Sequence, residues 1–150
     1  MRKMKKINEM KLTTEARSVN ESYCRVAVAA FAAQLDPTVE EISDIKTFVS
    51  EAVTNCIVHA YPCRNGKIYI TAQLTEDNMI IVRIRDRGIG IPDVKKAREP
   101  LFTTGGDDRS GLGFSVMECF SDKMNVSSKE GIGTTVTIYK RIRGKNSDEA

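Results

Sequence analysis

Glu51 and Asn55 stand four residues apart in the stretch Ser50-Glu51-Ala52-Val53-Thr54-Asn55. On a helix, positions i and i+4 project from one face, so the carboxylate and the amide point into the same space. A carboxylate there can orient or deprotonate a nucleophile. An amide oxygen is a hard ligand suited to Mg²⁺, which keeps several waters and takes few protein ligands. Taken alone, the same spacing is ordinary on the polar face of an amphipathic helix. Asp86-Arg87-Gly88-Ile89-Gly90 follows an apolar stretch. A carboxylate at a strand end can accept a hydrogen bond from an exocyclic amine such as that of adenine. Glycines at 88 and 90 permit positive φ and close approach of backbone to a flat ring. Without company, this too is a plain strand-to-helix turn.

Arg109-Ser110-Gly111-Leu112-Gly113-Phe114 is a glycine-rich loop running into a helix. Free N–H groups at a helix start attract phosphate, and Arg109 adds a charged fork for phosphate oxygens. The stretch is neither a Walker loop nor a G-x-G-x-x-G dinucleotide turn. In Gly131-Ile132-Gly133-Thr134-Thr135, a threonine hydroxyl leaves a glycine turn and can bond the same carboxylate or base. Read singly, these two stretches are a linker and a hairpin turn. His59, the only histidine, lies one turn beyond Asn55. Held on a helix, it cannot swing onto a phosphate, so a packing or supporting role is expected rather than that of a phosphoacceptor.

The elements that must position these groups follow from periodicity. Ile7 to Leu12 reads as an edge strand or a loose segment. Ala16 to Leu35 reads as a helix, and Asp36-Pro37 suits an N-cap and first helical position for a second helix from Thr38 to His59. Lys67 to Leu74 and Met79 to Arg85 read as strands around a Glu76-Asp77-Asn78 hairpin turn. Pro92 can open a short helix through Arg98. Thr103 to Gly111 reads as a mobile loop, Gly111 to Phe120 as a helix, and Met124 to Ser128 with Thr134 to Arg141 as a closing hairpin. The tail 144–150 is polar and expected to be frayed. This order predicts one domain over 1–150, an α/β (α+β) two-layer sandwich. Its sheet is mixed and mostly antiparallel, with helices on one face.

Bulk properties narrow the function classes. The 150 residues carry 23 basic and 20 acidic side chains, a net charge of +3. That is too mild for a nucleic-acid binder, and no aromatic stacking platform is interleaved with Arg and Lys. The four cysteines form no C-x-x-C pair, which argues against zinc. The start is charged and lacks an apolar signal core. The longest apolar run, Val26 to Ala33, is far too short to span a bilayer. A cytoplasmic protein with reduced thiols and no membrane partner is expected.

In this order and spacing, the pieces resemble the Bergerat-fold superfamily of gyrase, heat-shock-90, histidine-kinase and mismatch-repair ATPases and kinases. Glu51 and Asn55 match its N box, Asp86 to Gly90 its first glycine box, Gly111-Leu112-Gly113 its second, and Gly133-Thr134 its threonine segment. The match covers most of residues 38–140. A closer resemblance is to the sporulation sigma-F anti-sigma factors of endospore-forming bacilli. It is carried by residues 20–37, 50–60 and 100–114, including Pro100-Leu101-Phe102-Thr103-Thr104. The resemblance implies a Bergerat ATP-binding fold with a mobile lid. It also implies a homodimer that holds a sigma-F-type factor off RNA polymerase. The same family phosphorylates an anti-anti-sigma protein on serine, using ATP with Mg²⁺ and releasing ADP.

By the same resemblance Glu51 is the general base, Asn55 the Mg²⁺ ligand, and Asp86 the partner of the adenine amine. Gly88 and Gly90 lie beside the ring, and Thr134 supports the adenine end. Thr103, Thr104, Arg109, Ser110, Gly111 and Gly113 are the nucleotide-contacting parts of the lid. Arg25 is the partner-docking arginine; as a bare residue it is an ordinary exposed arginine. The segment 105–108 departs from the family pattern in being shorter and richer in glycine. Two competing readings are a nucleotide-gated sigma-binding module without useful catalysis and a fragment of a gyrase-like or heat-shock ATPase. The presence of a base at Glu51 argues against the first. The small size, without a transducer domain, argues against the second.

Overall fold

Strict alternation builds the sheet. The computed structural model describes residues 5–62, 64–99 and 113–144. In it, Ile68, Ile70, Ala72 and Leu74 of one strand and Ile80, Val82 and Ile84 of the next are buried, while Arg83 and Arg85 point outward. These strands are β2 (Lys67–Thr75) and β3 (Met79–Arg85); the others are β1 (Lys6–Glu15), β4 (Lys123–Lys129) and β5 (Gly133–Arg141). The sheet runs β1-β2-β3-β5-β4, and every neighbouring pair is antiparallel. Register stacks one apolar row across all five strands: Leu12, Ile70, Ile84, Val136 and Val126. Asn78, with φ 61°, turns the chain between β2 and β3, a left-handed position that Asn tolerates.

Helices α1 (Asn20–Ala32), α2 (Val39–Asn55), α3 (Val94–Ala97) and α4 (Phe114–Cys119) complete the described elements. Cys24, Val28 and Ala32 of α1 share one face at four-residue spacing. With Ile45, Phe48, Val49, Ala52 and Val53 of α2 and Phe114 and Met117 of α4, they form a single core against the sheet. The expected two-layer sandwich is therefore present, although its sheet is wholly antiparallel. None of the described helices is long and apolar enough to cross a membrane.

Several expected boundaries shift for local reasons. α1 begins at Asn20 rather than Ala16, because Ala16 N–H still donates to Gly66 O at 2.8 Å and a turn follows. Asp36 does not cap α2. It takes a left-handed φ of 55° after a 3₁₀ turn at Ala33–Leu35, and Pro37 bars the helical conformation before it. The cap is Thr38, in a reciprocal box: Glu41 N–H donates to Thr38 Oγ1 at 3.0 Å and Thr38 N–H to Glu41 Oε1 at 2.9 Å. α2 closes at Asn55 and continues as a π turn over Cys56–Ala60 instead of running regularly to His59. α3 starts after Asp93, which accepts from Lys96 N–H at 3.0 Å, so Pro92 lies outside it.

The chain end is less frayed than expected at its first residue. Arg143 N–H and Gly144 N–H donate to the Glu41 carboxylate at 2.7 and 3.1 Å, tying the end of β5 to the start of α2. Burial pushes the Glu41 carboxyl up, but N–H donors from Arg143, Thr38 and Gly144 bring it below the ordinary value.

Candidate functional site

The loop after β3 is pinned from three sides. Asp86 N–H donates to Thr134 O at 2.9 Å, Ile89 N–H to Ala60 O at 3.0 Å, and Gly131 N–H to Ile89 O at 2.8 Å. The Tyr61 hydroxyl accepts from Arg87 N–H at 2.7 Å and donates to Lys67 O at 2.8 Å. Helix α2, through its π turn, and the β4–β5 hairpin thus hold the Asp86 loop between them.

The Asp86 carboxylate is only 6% exposed. Its Oδ1 accepts from Gly88 N–H at 2.9 Å and Thr134 N–H at 3.1 Å, and its Oδ2 accepts from the Cys56 thiol at 3.7 Å. Burial pushes the carboxyl above its ordinary value, and these donors oppose that rise without cancelling it. Around it lies a cavity of about 30 Å³ whose lining includes Asn55, Cys56, His59, Gly90, Phe114 and Thr134. The residues singled out at 55, 86, 90 and 134 are therefore brought together, and His59 joins them.

The φ of Gly88 is not positive, and a Cβ there would overlap the Ala60 carbonyl, so the missing side chain lets two backbones meet. Gly90 does have positive φ, 81°, and sits against the Lys129–Glu130 backbone. Thr134 bonds the carboxylate through its N–H; its hydroxyl shares a 2.8 Å hydrogen bond with Ser128 Oγ instead.

Glu51 opens into an adjoining cleft. That cleft, about 270 Å³, is lined by Arg25, Ser43, Lys46, Thr47, Ser50 and Glu51. Thus Glu51 and Asn55 share a helix face but serve two compartments, one turn apart. Burial alone pushes the Glu51 carboxyl above its ordinary value. Gly113, at the start of α4 with φ 69°, lies so close over this carboxylate that a Cβ would overlap it. Arg25 is not simply solvated: its Nε sits 3.3 Å from Glu21 Oε2, which also accepts from Ser50 Oγ at 2.5 Å. Thr103, Thr104, Arg109, Ser110 and Gly111 lie outside the described residues.

Sequence reasoning missed Cys56, Tyr61 and Ser128. Ser128 Oγ accepts from Ile91 N–H at 2.8 Å and donates to Gly133 O at 3.1 Å, joining the Asp86 loop to the hairpin. Gly66 packs under Tyr61, where any Cβ would overlap the tyrosine ring.

A family model described as the histidine kinase-like ATPase domain matches residues 12–140. An anti-sigma F factor of Caldanaerobacter subterraneus subsp. tengcongensis is 54% identical over 140 residues, 93% of this chain and 96% of that protein. The anti-sigma F factor of Geobacillus kaustophilus is 52% identical over 136 residues, covering 90% and 93%. That of Bacillus subtilis is 51% identical over 138 residues, again covering 90% and 93%. Among solved structures, the RsbU and RsbW domains of a Mycobacterium tuberculosis protein align over 91% of this chain with a TM-score of 0.66 and 20% identity; the chain spans 32% of that longer one. The histidine kinase domain of a blue-light activated histidine kinase from Erythrobacter litoralis aligns over 86% of this chain and 63% of its own, with a TM-score of 0.58 and 19% identity. These two likenesses establish the fold.

Proposed function

The chain belongs to the histidine kinase-like ATPase domain family and, within it, to the anti-sigma F factors, and from that premise we propose that it sequesters a sigma-F-type factor and phosphorylates an anti-anti-sigma protein on serine with ATP. The observation that carries the reading is the register of α2. Asn55 lines the cavity around Asp86, while Glu51, four residues earlier, faces the open cleft beside it. A nucleotide seated by its base at Asp86 would run its phosphates past Asn55 toward Glu51. A protein hydroxyl would then arrive from the cleft side.

In the proposed reaction the serine Oγ–H proton passes to the Glu51 carboxylate as Oγ bonds to the γ-phosphorus. The bond from that phosphorus to its bridging oxygen breaks, and ADP leaves with the electron pair. Burial of Glu51 suits it to this work, since a raised carboxyl pKa makes a stronger base. Transfer of this kind needs positioning and charge neutralisation more than covalent chemistry. Among the described residues no cluster of three or more His, Cys, Asp or Glu could hold a metal. The donor set fits Mg²⁺ carried mainly by phosphate and water, with the Asn55 oxygen as its protein ligand. Mg²⁺ would supply charge neutralisation to the phosphates.

Arg25, at the cleft, is the proposed docking point for the partner proteins, and Thr103, Thr104, Arg109, Ser110, Gly111 and Gly113 are proposed to close over the nucleotide. A symmetric homodimer acting in the cytoplasm completes the proposal. The test is intact mass of both proteins after mixing with Mg²⁺-ATP and the anti-anti-sigma partner. One phosphate on a partner serine, lost with Glu51→Gln, is the expected result. ATP binding with no added mass on either protein refutes the kinase and leaves a nucleotide-gated sigma binder.

A further inference from the structure

Asp86 is held asymmetrically. Its Oδ1 is satisfied by two backbone N–H donors, whereas Oδ2 accepts from the Cys56 thiol at 3.7 Å. The carboxylate is a single planar group on a broad terminal torsion, so contacts at both oxygens together hold its plane. Cys56 is 2% exposed, opens the π turn, and lines the same cavity as Asp86, Asn55 and Thr134. It is placed between the helix that carries Asn55 and the carboxylate.

We propose that Cys56 is a positioning residue for base selection: its thiol occupies one side of Asp86 Oδ2 and helps hold the carboxylate plane in which the remaining lone pair faces the exocyclic amine of a 6-aminopurine. The proposal rests on the reading of Asp86 as the acceptor of that amine. The chemistry suits the task. A thiol is a weak donor, so it orients the carboxylate oxygen while leaving its capacity to accept from a stronger N–H. A carboxylate plane held less firmly meets the amine with poorer geometry, and a base lacking the amine gains nothing from the hold.

The experiment compares ADP with purine riboside 5′-diphosphate, which lacks the amine, by calorimetric titration of wild type, Cys56→Ala, Cys56→Val and Asp86→Asn. Wild type prefers ADP. Loss of one neutral hydrogen bond predicts that Cys56→Ala and Cys56→Val weaken ADP about 3- to 10-fold while the amine-free analogue is unchanged, so the selectivity ratio falls. The valine variant fills the space of the thiol, so a defect in packing alone would move both nucleotides together or spare valine. A ratio that stays at the wild-type value in either folded variant overturns the proposal. Asp86→Asn separates the two readings. If it keeps the full ADP preference, the assignment of Asp86 fails; if it loses that preference while the Cys56 variants do not, only the role of Cys56 fails.

Discussion

Replacing Glu51 with Gln sets catalysis and stability against each other in a way that can be measured. Burial is the one cause that lifts this carboxyl above 4.5. A raised folded-state pKa contributes stability that is full below the unfolded value and is lost as pH rises through the folded value. At neutral pH the ionised Glu51 therefore weighs against the native state. Proton abstraction needs the same ionised form, so the rate should climb with pH over the window in which this stability declines. Glu51→Gln removes both effects. Losing a general base lowers the transfer rate about 10²- to 10⁴-fold, which at about 1.36 kcal/mol per decade raises the barrier by about 2.7–5.5 kcal/mol. Thermal melting at pH 7 should meanwhile be equal to or higher than wild type, with the difference closing below pH 4.5, where the wild-type carboxyl is also neutral. Single-turnover phosphotransfer by intact mass gives the rate, and paired melts across pH give the stability difference. Undiminished transfer refutes the base, and a lower melting temperature at pH 7 refutes the claim that burial strains this carboxylate.

Two further variants probe how the site is held. Thr38→Ala removes the Oγ1 that Glu41 N–H bonds at 3.0 Å. It should cost about 0.5–2 kcal/mol in a urea titration, with transfer by the folded fraction unchanged; wild-type stability would refute the capping box. Gly88→Ala puts a Cβ into the Ala60 carbonyl, a backbone atom that cannot rotate away. Such overpacking costs about 1–3 kcal/mol, and the displaced Asp86 should weaken ADP binding in a calorimetric titration. Full ADP affinity in a stable Gly88→Ala protein would show that the loop and the π turn are not rigidly joined.

The parts of this molecule legible in its sequence are those set by local pattern. Alternation in Ile68-Tyr69-Ile70-Thr71-Ala72 and the spacing Ile45, Phe48, Val49, Ala52 need no knowledge of distant residues. The candidate site was legible in the same way, because Glu51, Asn55 and Asp86 are side-chain types able to bind or act on a ligand. What was not legible has a common cause. The sequence does not show that Ala60 O lies beside Gly88, nor that a π turn places Ala60 O where Ile89 N–H meets it at 3.0 Å. No propensity in Cys56-Ile57-Val58-His59-Ala60 announces that register. Ser128 bonds Ile91 across 37 residues, and Cys56 bonds Asp86 across 30. Both contacts follow from sheet order, which places the end of β3 between the β4–β5 hairpin and the end of α2. A motif identifies what would meet the nucleotide, and pairing between motifs decides how firmly it is aimed. Under the proposal made for Cys56, which none of the motifs includes, selectivity would change there with every motif residue retained in the sequence.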